Sequence, residues 1–249
     1  MNNNNEPVII VKDMVKKFGN FVANDHLTFT VNKGEIFGFL GANGAGKTTA
    51  IKILCGLSIP TSGEIHVAGL DAYTQTNQIK KNIGYMSQKF SLYEDMTIYE
   101  NIRFYGGIYG LKEKFIKERS AQLLRKLGLE ADKNKLIKDI PLGWKQKLAF
   151  SVAVFHNPGI VFLDEPTGGV DPVTRRQFWN LIYEAADQGI TVFVTTHYMD
   201  EAEYCDRVLV MVDGRIVALD SPVKLMVHFD AKSMDEVFLK IARPKAIAN

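Results

Sequence analysis

The sequence predicts an α/β chain whose mostly parallel sheet is interrupted by a helical insertion. Three observations carry this. Past residue 158, apolar runs and helical spacing alternate, as Ile160–Leu163, Pro172–Gln188 and Ile190–Thr195. Residues from about Thr97 to His156 read instead as mostly helical. A glycine-rich turn, Gly41 to Gly46, stands between an apolar strand and a helix-like segment.

The elements follow in order. Leu27–Val31, the Asn32-Lys33-Gly34 turn and Glu35–Leu40 read as short strands with a tight connection. Lys47–Leu57 resumes at helical spacing. Ser62-Gly63 and Asp213-Gly214 read as further turns, the second joining Val208–Val212 to Ile216–Leu219 as a hairpin. Thr97 and Glu100 have the spacing of a capping box, and Gly110 is a stop for that helix. Ile116, Leu123, Leu124 and Leu127 share one helical face, closed by Gly128. A helix is expected over Trp144–His156. Asp171 as N-cap, Pro172 at the first helical position and Gly189 at the end bracket the next one.

The bulk composition narrows the function classes. The 249 residues carry 30 Lys+Arg against 28 Asp+Glu, a net charge of +2, without the basic bias of a nucleic-acid binder, so no nucleic-acid partner is expected. A hydrophobic fraction of 46% is enough for a core without staples. Cys55 and Cys205 lack metal-ligand spacing and read as inert thiols in a reducing compartment. Met1 to Glu6, an asparagine run, lacks the basic and apolar regions of a signal peptide. The apolar runs fall far short of the ~20 residues that span a bilayer, so a soluble chain is expected. There is no internal repeat, and His26, His66, His156 and His228 read as structural.

Gly41-Ala-Asn-Gly-Ala-Gly46-Lys47-Thr48 fits G-x-x-x-x-G-K-[ST] in the context that this phosphate-binding loop requires, after a strand and opening a helix. Glycines let backbone N–H groups turn inward around phosphate oxygens, and the helix N-terminus adds a favourable field. Gly41, Asn43, Gly44, Gly46 and Thr49 are therefore nucleotide-contact candidates. Lys47 is placed to bridge the β- and γ-phosphates, and Thr48 to put its hydroxyl on Mg²⁺. The apolar run Ile160–Leu163 delivers Asp164 and Glu165 to its carboxyl end, where ligands of α/β sheets collect. Asp164 there would hold Mg²⁺ through water, and Glu165 would orient or deprotonate the attacking water.

From Val8 to Phe229 the sequence resembles the nucleotide-binding subunits of ABC transporters. Phe18, beside Gly19, stands where that family stacks an aromatic on adenine. Gln88 resembles the glutamine that senses Mg²⁺ and the γ-phosphate. Asp164-Glu165-Pro166-Thr167 resembles the acidic motif, Gly169-Val-Asp171-Pro172 the loop that crosses to a second subunit, and Thr195-Thr-His197 the switch histidine. Taken singly, Phe18 reads better as a core aromatic, Gln88 as a surface amide and His197 as a satisfied histidine; their order and spacing distinguish the family.

The resemblance implies a P-loop NTPase fold with a RecA-like core, an antiparallel β subdomain and an inserted helical subdomain. Residues 1–229 would form a single ATPase domain, with 1–87 and 159–229 as core, 88–158 as the helical part and 230–249 as a tail. ATP and Mg²⁺ are the implied ligands, with Lys47, Gln88, Glu165 and His197 catalytic and Thr48, Gln88 and Asp164 around the metal. A head-to-tail second ABC subunit and integral membrane permease subunits are the implied partners, at the cytoplasmic face of the cell membrane.

One stretch departs from the pattern. Where the family's signature loop reads Leu-Ser-Gly-Gly, this chain has Ile140-Pro141-Leu142-Gly143, which lacks the serine hydroxyl that contacts the opposite nucleotide. Gly143 and the helix behind it remain to meet phosphate. This variant and the run Thr195 to Arg207 resemble type-2 class exporter cassettes of multidrug or sodium efflux.

The aromatics Phe90, Tyr93, Tyr99, Phe104, Tyr105 and Tyr109 divide between core and a groove for the permease. Residues 112–138, with nine Lys/Arg against four Asp/Glu, are a solvated helix face or an attraction to the anionic leaflet. The competing class is a soluble ABC ATPase of translation or DNA repair. A P-loop GTPase lacks support, because Asn134-Lys135 is followed by Leu136-Ile137 without the guanine-reading Asp.

Overall fold

The computed structural model describes residues 6–88 and 92–242. Phe90 and the asparagine run lie outside the described residues. The chain opens with a long hairpin, β1 (Pro7–Phe18) and β2 (Phe21–Asn32), followed by β3 (Ile36–Leu40) and helix α1 (Lys47–Leu54). Next come β4 (Ser62–Val67), β5 (Leu70–Asp71), α2 (Thr76–Asn82) and β6 (Ile83–Met86). Three helices intervene, α3 (Ile98–Ile108), α4 (Glu113–Leu127) and α5 (Leu142–Ala153). Then β7 (Ile160–Asp164), α6 (Pro172–Asp187), β8 (Thr191–Thr196), β9 (Arg207–Val212), β10 (Arg215–Asp220), α7 (Pro222–His228) and α8 (Met234–Ala242) complete the order.

A four-stranded antiparallel sheet, β2-β1-β4-β5, packs near a six-stranded sheet of order β10-β9-β3-β8-β7-β6. In the larger sheet every pair is parallel except the β9–β10 hairpin at its edge. Its central strands β3, β7 and β8 are buried at every position and so read as continuous apolar runs. Strict period-two alternation then divides the side chains between two cores. Phe37, Phe39, Phe162 and Phe193 face α1 and the antiparallel sheet. Leu40, Val161, Leu163, Val192 and Val194 face the core shared with α3, α5 and α6. In the first of these cores, the Phe39 and Phe193 rings lie 5.3 Å apart.

The helices form where their caps and apolar faces agree. Thr97 and Glu100 close the expected capping box on α3, with Thr97 N–H donating to Glu100 Oε2 at 2.8 Å and Glu100 N–H to Thr97 Oγ1 at 3.2 Å. Asp171 Oδ1 accepts from the N–H groups of Val173 and Thr174, both at 3.0 Å, and fixes the start of α6. Past α7, Met234 and Val237 of α8 are fully buried in the larger core.

Three local expectations shift, and one strand was not foreseen. Ser62-Gly63 opens strand β4 instead of making a turn: Gly63 has φ +106°, and a Cβ there would stand 2.6 Å from the Asp13 carbonyl oxygen. The glycine serves the bulge where β1 slips register between Lys12 and Val15. The helix expected over Lys47–Leu57 ends at Leu54, with Gly56 at φ +67° reversing the chain. The helix expected over Trp144–His156 begins two residues earlier, because Pro141 is its N-cap, and ends at Ala153 before Asn157 at φ +60°. Strand β1 had no sequence signal of its own, since Lys12, Asp13, Lys16 and Lys17 interrupt its alternation.

Candidate functional site

Parallel strands place their carboxyl ends on one rim, and here four of them feed loops into one place. β3 leads into Gly41, β7 into Asp164 and Glu165, β8 into His197, and β6 toward Gln88. Such a crevice beyond the carboxyl ends is where open α/β sheets bind ligands.

The phosphate loop is fixed by close backbone contacts. A Cβ on Gly41 would meet the Met211 carbonyl oxygen at 2.5 Å, and one on Gly46, which has φ +102°, would meet that of Ala23 at 2.3 Å. The buried Asn24 donates through Nδ2 to the Gly46 carbonyl at 3.1 Å. Lys47, the first residue of α1, is 4% exposed. Its ammonium donates to the carbonyls of Gly41 at 2.7 Å and Ala42 at 3.1 Å. An ammonium held by two loop carbonyls is poised at the loop's mouth.

Glu165 is the convergence point. Lys47 Nζ lies 3.4 Å from its Oε1, Gln88 Nε2 donates to Oε2 at 3.0 Å, and His197 Nδ1 lies 3.1 Å from the same oxygen. The residue occupies the left-handed region at φ +50°, a strained conformation for a glutamate. That backbone is held by its own N–H, which donates to both the carbonyl and the hydroxyl of Thr195, at 3.1 and 3.0 Å. Thr195 also donates its hydroxyl to Asp164 Oδ1 at 2.7 Å. Burial pushes the Asp164 carboxyl above the ordinary carboxylate range, against the pull of that hydrogen bond.

A cleft of about 280 Å³ opens over these groups, lined by Phe21, Ala23, Asn43, Gly44, Gly46, Lys47, Thr48, Thr49, Gln88 and Glu165. Of the candidates for this site, Phe18, Gly41, Asp164 and His197 are not among its lining residues, although Asp164 and His197 lie directly behind it. Phe18 pairs across the hairpin end with Phe21, both rings more than half exposed, with Lys16 Nζ 4.9 Å above the Phe18 ring. Phe21 is thus a wall residue that sequence reasoning missed, though its signal, a second aromatic three residues after the first, was there to read. Gly143 and Asp171 line a different cleft of about 360 Å³, with Pro141, Leu142, Trp144 and Thr174.

A second network was also missed. Thr167, just after Glu165, donates its buried hydroxyl to Glu201 Oε1 at 2.5 Å. Glu201 is fully buried, and Arg175 Nε lies 3.5 Å from the same oxygen. The Arg175 guanidinium reaches Asp200 at 3.2 Å and lies 4.1 Å from the Tyr198 ring centre. This joins the loop after Glu165, the first turn of α6 and the segment that follows His197. Buried Gln146 of α5 adds a bond from Nε2 to the Gly168 carbonyl at 3.1 Å.

Among the described residues no group of three or more His, Cys, Asp and Glu forms a metal cage. The donors that are present, the Thr48 hydroxyl, the Gln88 amide and the Asp164 carboxylate, offer the hard oxygen ligands that suit Mg²⁺ shared with phosphates. A buried carboxylate with a raised pKa beside the phosphate loop fits a dication that would compensate its charge.

The profile of the ABC transporter family matches residues 24–168. The probable multidrug ABC transporter ATP-binding protein YbhF of Escherichia coli (strain K12) is 48% identical over 217 residues. That match covers 87% of this chain and 38% of the relative, so the chain spans well under half of that protein's length. The linearmycin resistance ATP-binding protein LnrL of Bacillus subtilis (strain 168) is 32% identical, over 96% of this chain and 79% of the relative. A solved ATP-binding subunit of an ABC transporter superimposes with a TM-score of 0.85 at 28% identity, covering 95% of this chain and 100% of that one. A dimeric bacterial ABC transporter cassette superimposes with a TM-score of 0.77 at 25% identity, over 86% of this chain and 98% of the other.

Proposed function

Because this chain belongs to the ABC transporter family, we propose that it binds and hydrolyses ATP and passes the resulting motion to a membrane exporter. The observation that carries the reading is the meeting of Lys47, Gln88 and His197 on the single carboxylate of Glu165, at the mouth of the phosphate loop. In this reading the loop amides and Lys47 grip the β- and γ-phosphates. Glu165 accepts a proton from the attacking water, while Gln88 and His197 hold that carboxylate in place. Thr48, Gln88 and Asp164 would hold Mg²⁺, which would supply positive charge against the phosphates. The exposed aromatics at the β1–β2 turn, Phe18 and Phe21, supply a face for adenine.

Gly143 and Asp171 have their place in the second cleft. In a twofold, head-to-tail pair that cleft faces the nucleotide of the partner, and ATP between the two subunits closes them. The multidrug and linearmycin-resistance names of the relatives support export as the direction. Tyr93 and Phe104, both exposed and packed edge to face at 4.8 Å, offer aromatic anchors for a permease, whereas Tyr99, Tyr105 and Tyr109 are half-buried. The permease places the chain at the inner face of the cell membrane.

Phosphate release from Mg-ATP and Mg-GTP tests the reading directly. Turnover is expected with ATP. Glu165→Gln is expected to keep Mg-ATP binding while hydrolysis falls by about 10²–10⁴-fold. Undiminished hydrolysis in that variant would remove Glu165 from its role.

A further inference from the structure

We propose that the cleft enclosed by α4, α5 and α6 is a ligand site for a monoanionic amphiphile, whose carboxylate pairs with Arg119 while its hydrocarbon part lies on the apolar floor. The cleft measures about 290 Å³, as large as the one over the phosphate loop at about 280 Å³. Small-molecule sites combine an apolar lining with a few convergent polar groups. Here the apolar floor is Phe150, Phe155, Leu181 and Ile190.

The polar wall consists of Arg119, Gln122, Ser151, Asn157 and Gln188. Among the described residues none of these side chains has a hydrogen-bond or ion-pair partner within the chain. The fold has therefore spent none of them on itself, although Ser151 is only 7% exposed.

Charge selects the ligand. Lys126 and Glu184 also line the cleft, and they neutralise each other in an ion pair at 2.5 Å. Arg119 is left as the one uncompensated charge on the lining, which matches a single negative charge. Its guanidinium lies 5.6 Å from the Phe115 ring centre and 5.5 Å from that of Phe155. Aromatic faces shield it from water on those sides but give it no anion, and burial holds its pKa below the usual arginine range. A planar fork of donors that is partly desolvated and unpaired binds a carboxylate through two parallel hydrogen bonds.

The cleft sits at the carboxyl ends of α5 and α6, whose opposite ends carry Gly143 and Asp171. An occupant would bias how these helices pack, and so reach the proposed partner-facing surface without touching nucleotide. That consequence rests on the proposed ATPase reading, but binding itself does not.

Calorimetric titration of the full chain with octanoate, and with 1-octanol as the uncharged control, tests the site. Saturable 1:1 binding of octanoate is expected, with octanol, and octanoate on Arg119→Met, weaker by about tenfold or more. Leu181→Trp fills the floor and is expected to abolish binding, and it stands as the test if Arg119→Met does not fold. Saturating Mg-ATP should leave octanoate binding in place. Failure of the wild-type chain to saturate, equal affinity in Arg119→Met, undiminished binding in Leu181→Trp, or strictly competitive displacement by Mg-ATP would each overturn the site. Failure to bind Mg-ATP at all counts against the nucleotide reading and leaves this one intact.

Discussion

Glu201 lies in the run Tyr198 to Asp206, which carries four acidic residues and stands out only as part of the resemblance. Yet it is fully buried against Thr167 and Arg175. Composition cannot distinguish it from Asp200 or Glu203, because what singles it out is a threonine and an arginine brought from elsewhere in the chain. Lys47, Asp164 and Glu165 were legible for the opposite reason: each belongs to a short motif at a strand end that can be read without knowing what it later meets, whereas His197 was legible only through the resemblance. Thr167→Val leaves the Glu201 carboxylate without its hydroxyl and is expected to cost about 1–3 kcal/mol of stability. Glu201→Gln removes the charge facing Arg175 and is expected to cost a similar amount. Since both substitutions break one network, the double variant should lose less than their sum in denaturant melts. Strict additivity would mean that the two side chains do not act together. His156 supports a separate expectation. Its ring stacks on Tyr109 at 3.5 Å, and burial, with the Arg119 charge nearby, holds its pKa down to about 4, below the ordinary 6.5. The folded chain then binds fewer protons than the unfolded one between pH 6.5 and 4. The stability from this group is complete above the upper value and drains away as pH falls through the window, by at most about 1.4 kcal/mol per pH unit. Partial solvent access makes the real slope smaller. His156→Phe keeps the stack and should flatten the acid limb of stability against pH; parallel curves would sink this account.

At the scale of elements, caps and breakers were the readable part. The Thr97–Glu100 box, the Asp171-Pro172 start and the Asp213-Gly214 hairpin all form as their residue types require. What the sequence could not supply was tertiary demand on a glycine. Gly63 reads as a turn but serves a bulge, and Gly143 reads as a phosphate contact while also meeting a packing need. A Cβ on Gly143 would stand 2.6 Å from Thr174 Cγ2, so α5 approaches α6 as closely as it does only because this position is bare. Gly143→Ala is therefore expected to destabilise the chain by about 1–3 kcal/mol through overpacking. Adding Thr174→Ser removes the opposing methyl and keeps the hydroxyl that Asp171 Oδ2 accepts at 2.6 Å. The pair should regain most of the loss in thermal melts. If the second change restores nothing, the glycine is required for some reason other than the helix contact.

At the scale of the whole molecule, the α/β class was readable because a parallel sheet buried on both faces writes itself as apolar runs between helices. The partition into two cores was not, since it depends on which face each alternate residue meets after the crossovers are made. The same architecture keeps two clefts apart. Lys47, Thr48, Gln88 and Glu165 line one cleft, while Gly143 and Asp171 line another, and no residue is shared between them. If a nucleotide needs both surfaces, a single copy cannot complete its own site, and the energy of ATP contacts must appear as association. Hydrolysis destroys those contacts, so the wild-type pair is transient, and a variant that binds without hydrolysing should accumulate as a pair. Glu165→Gln with Mg-ATP is expected to double its mass in light scattering, and to remain monomeric with ADP or without Mg²⁺. Adding Asp171→Ala, which removes the cap that sets the crossing loop, should weaken that pair while leaving Mg-ATP on each monomer. A Glu165→Gln chain that holds Mg-ATP yet stays monomeric at every concentration would mean that the second cleft does not face a nucleotide on an identical copy. The companion would then have to be a different cassette, detected by mixing the two.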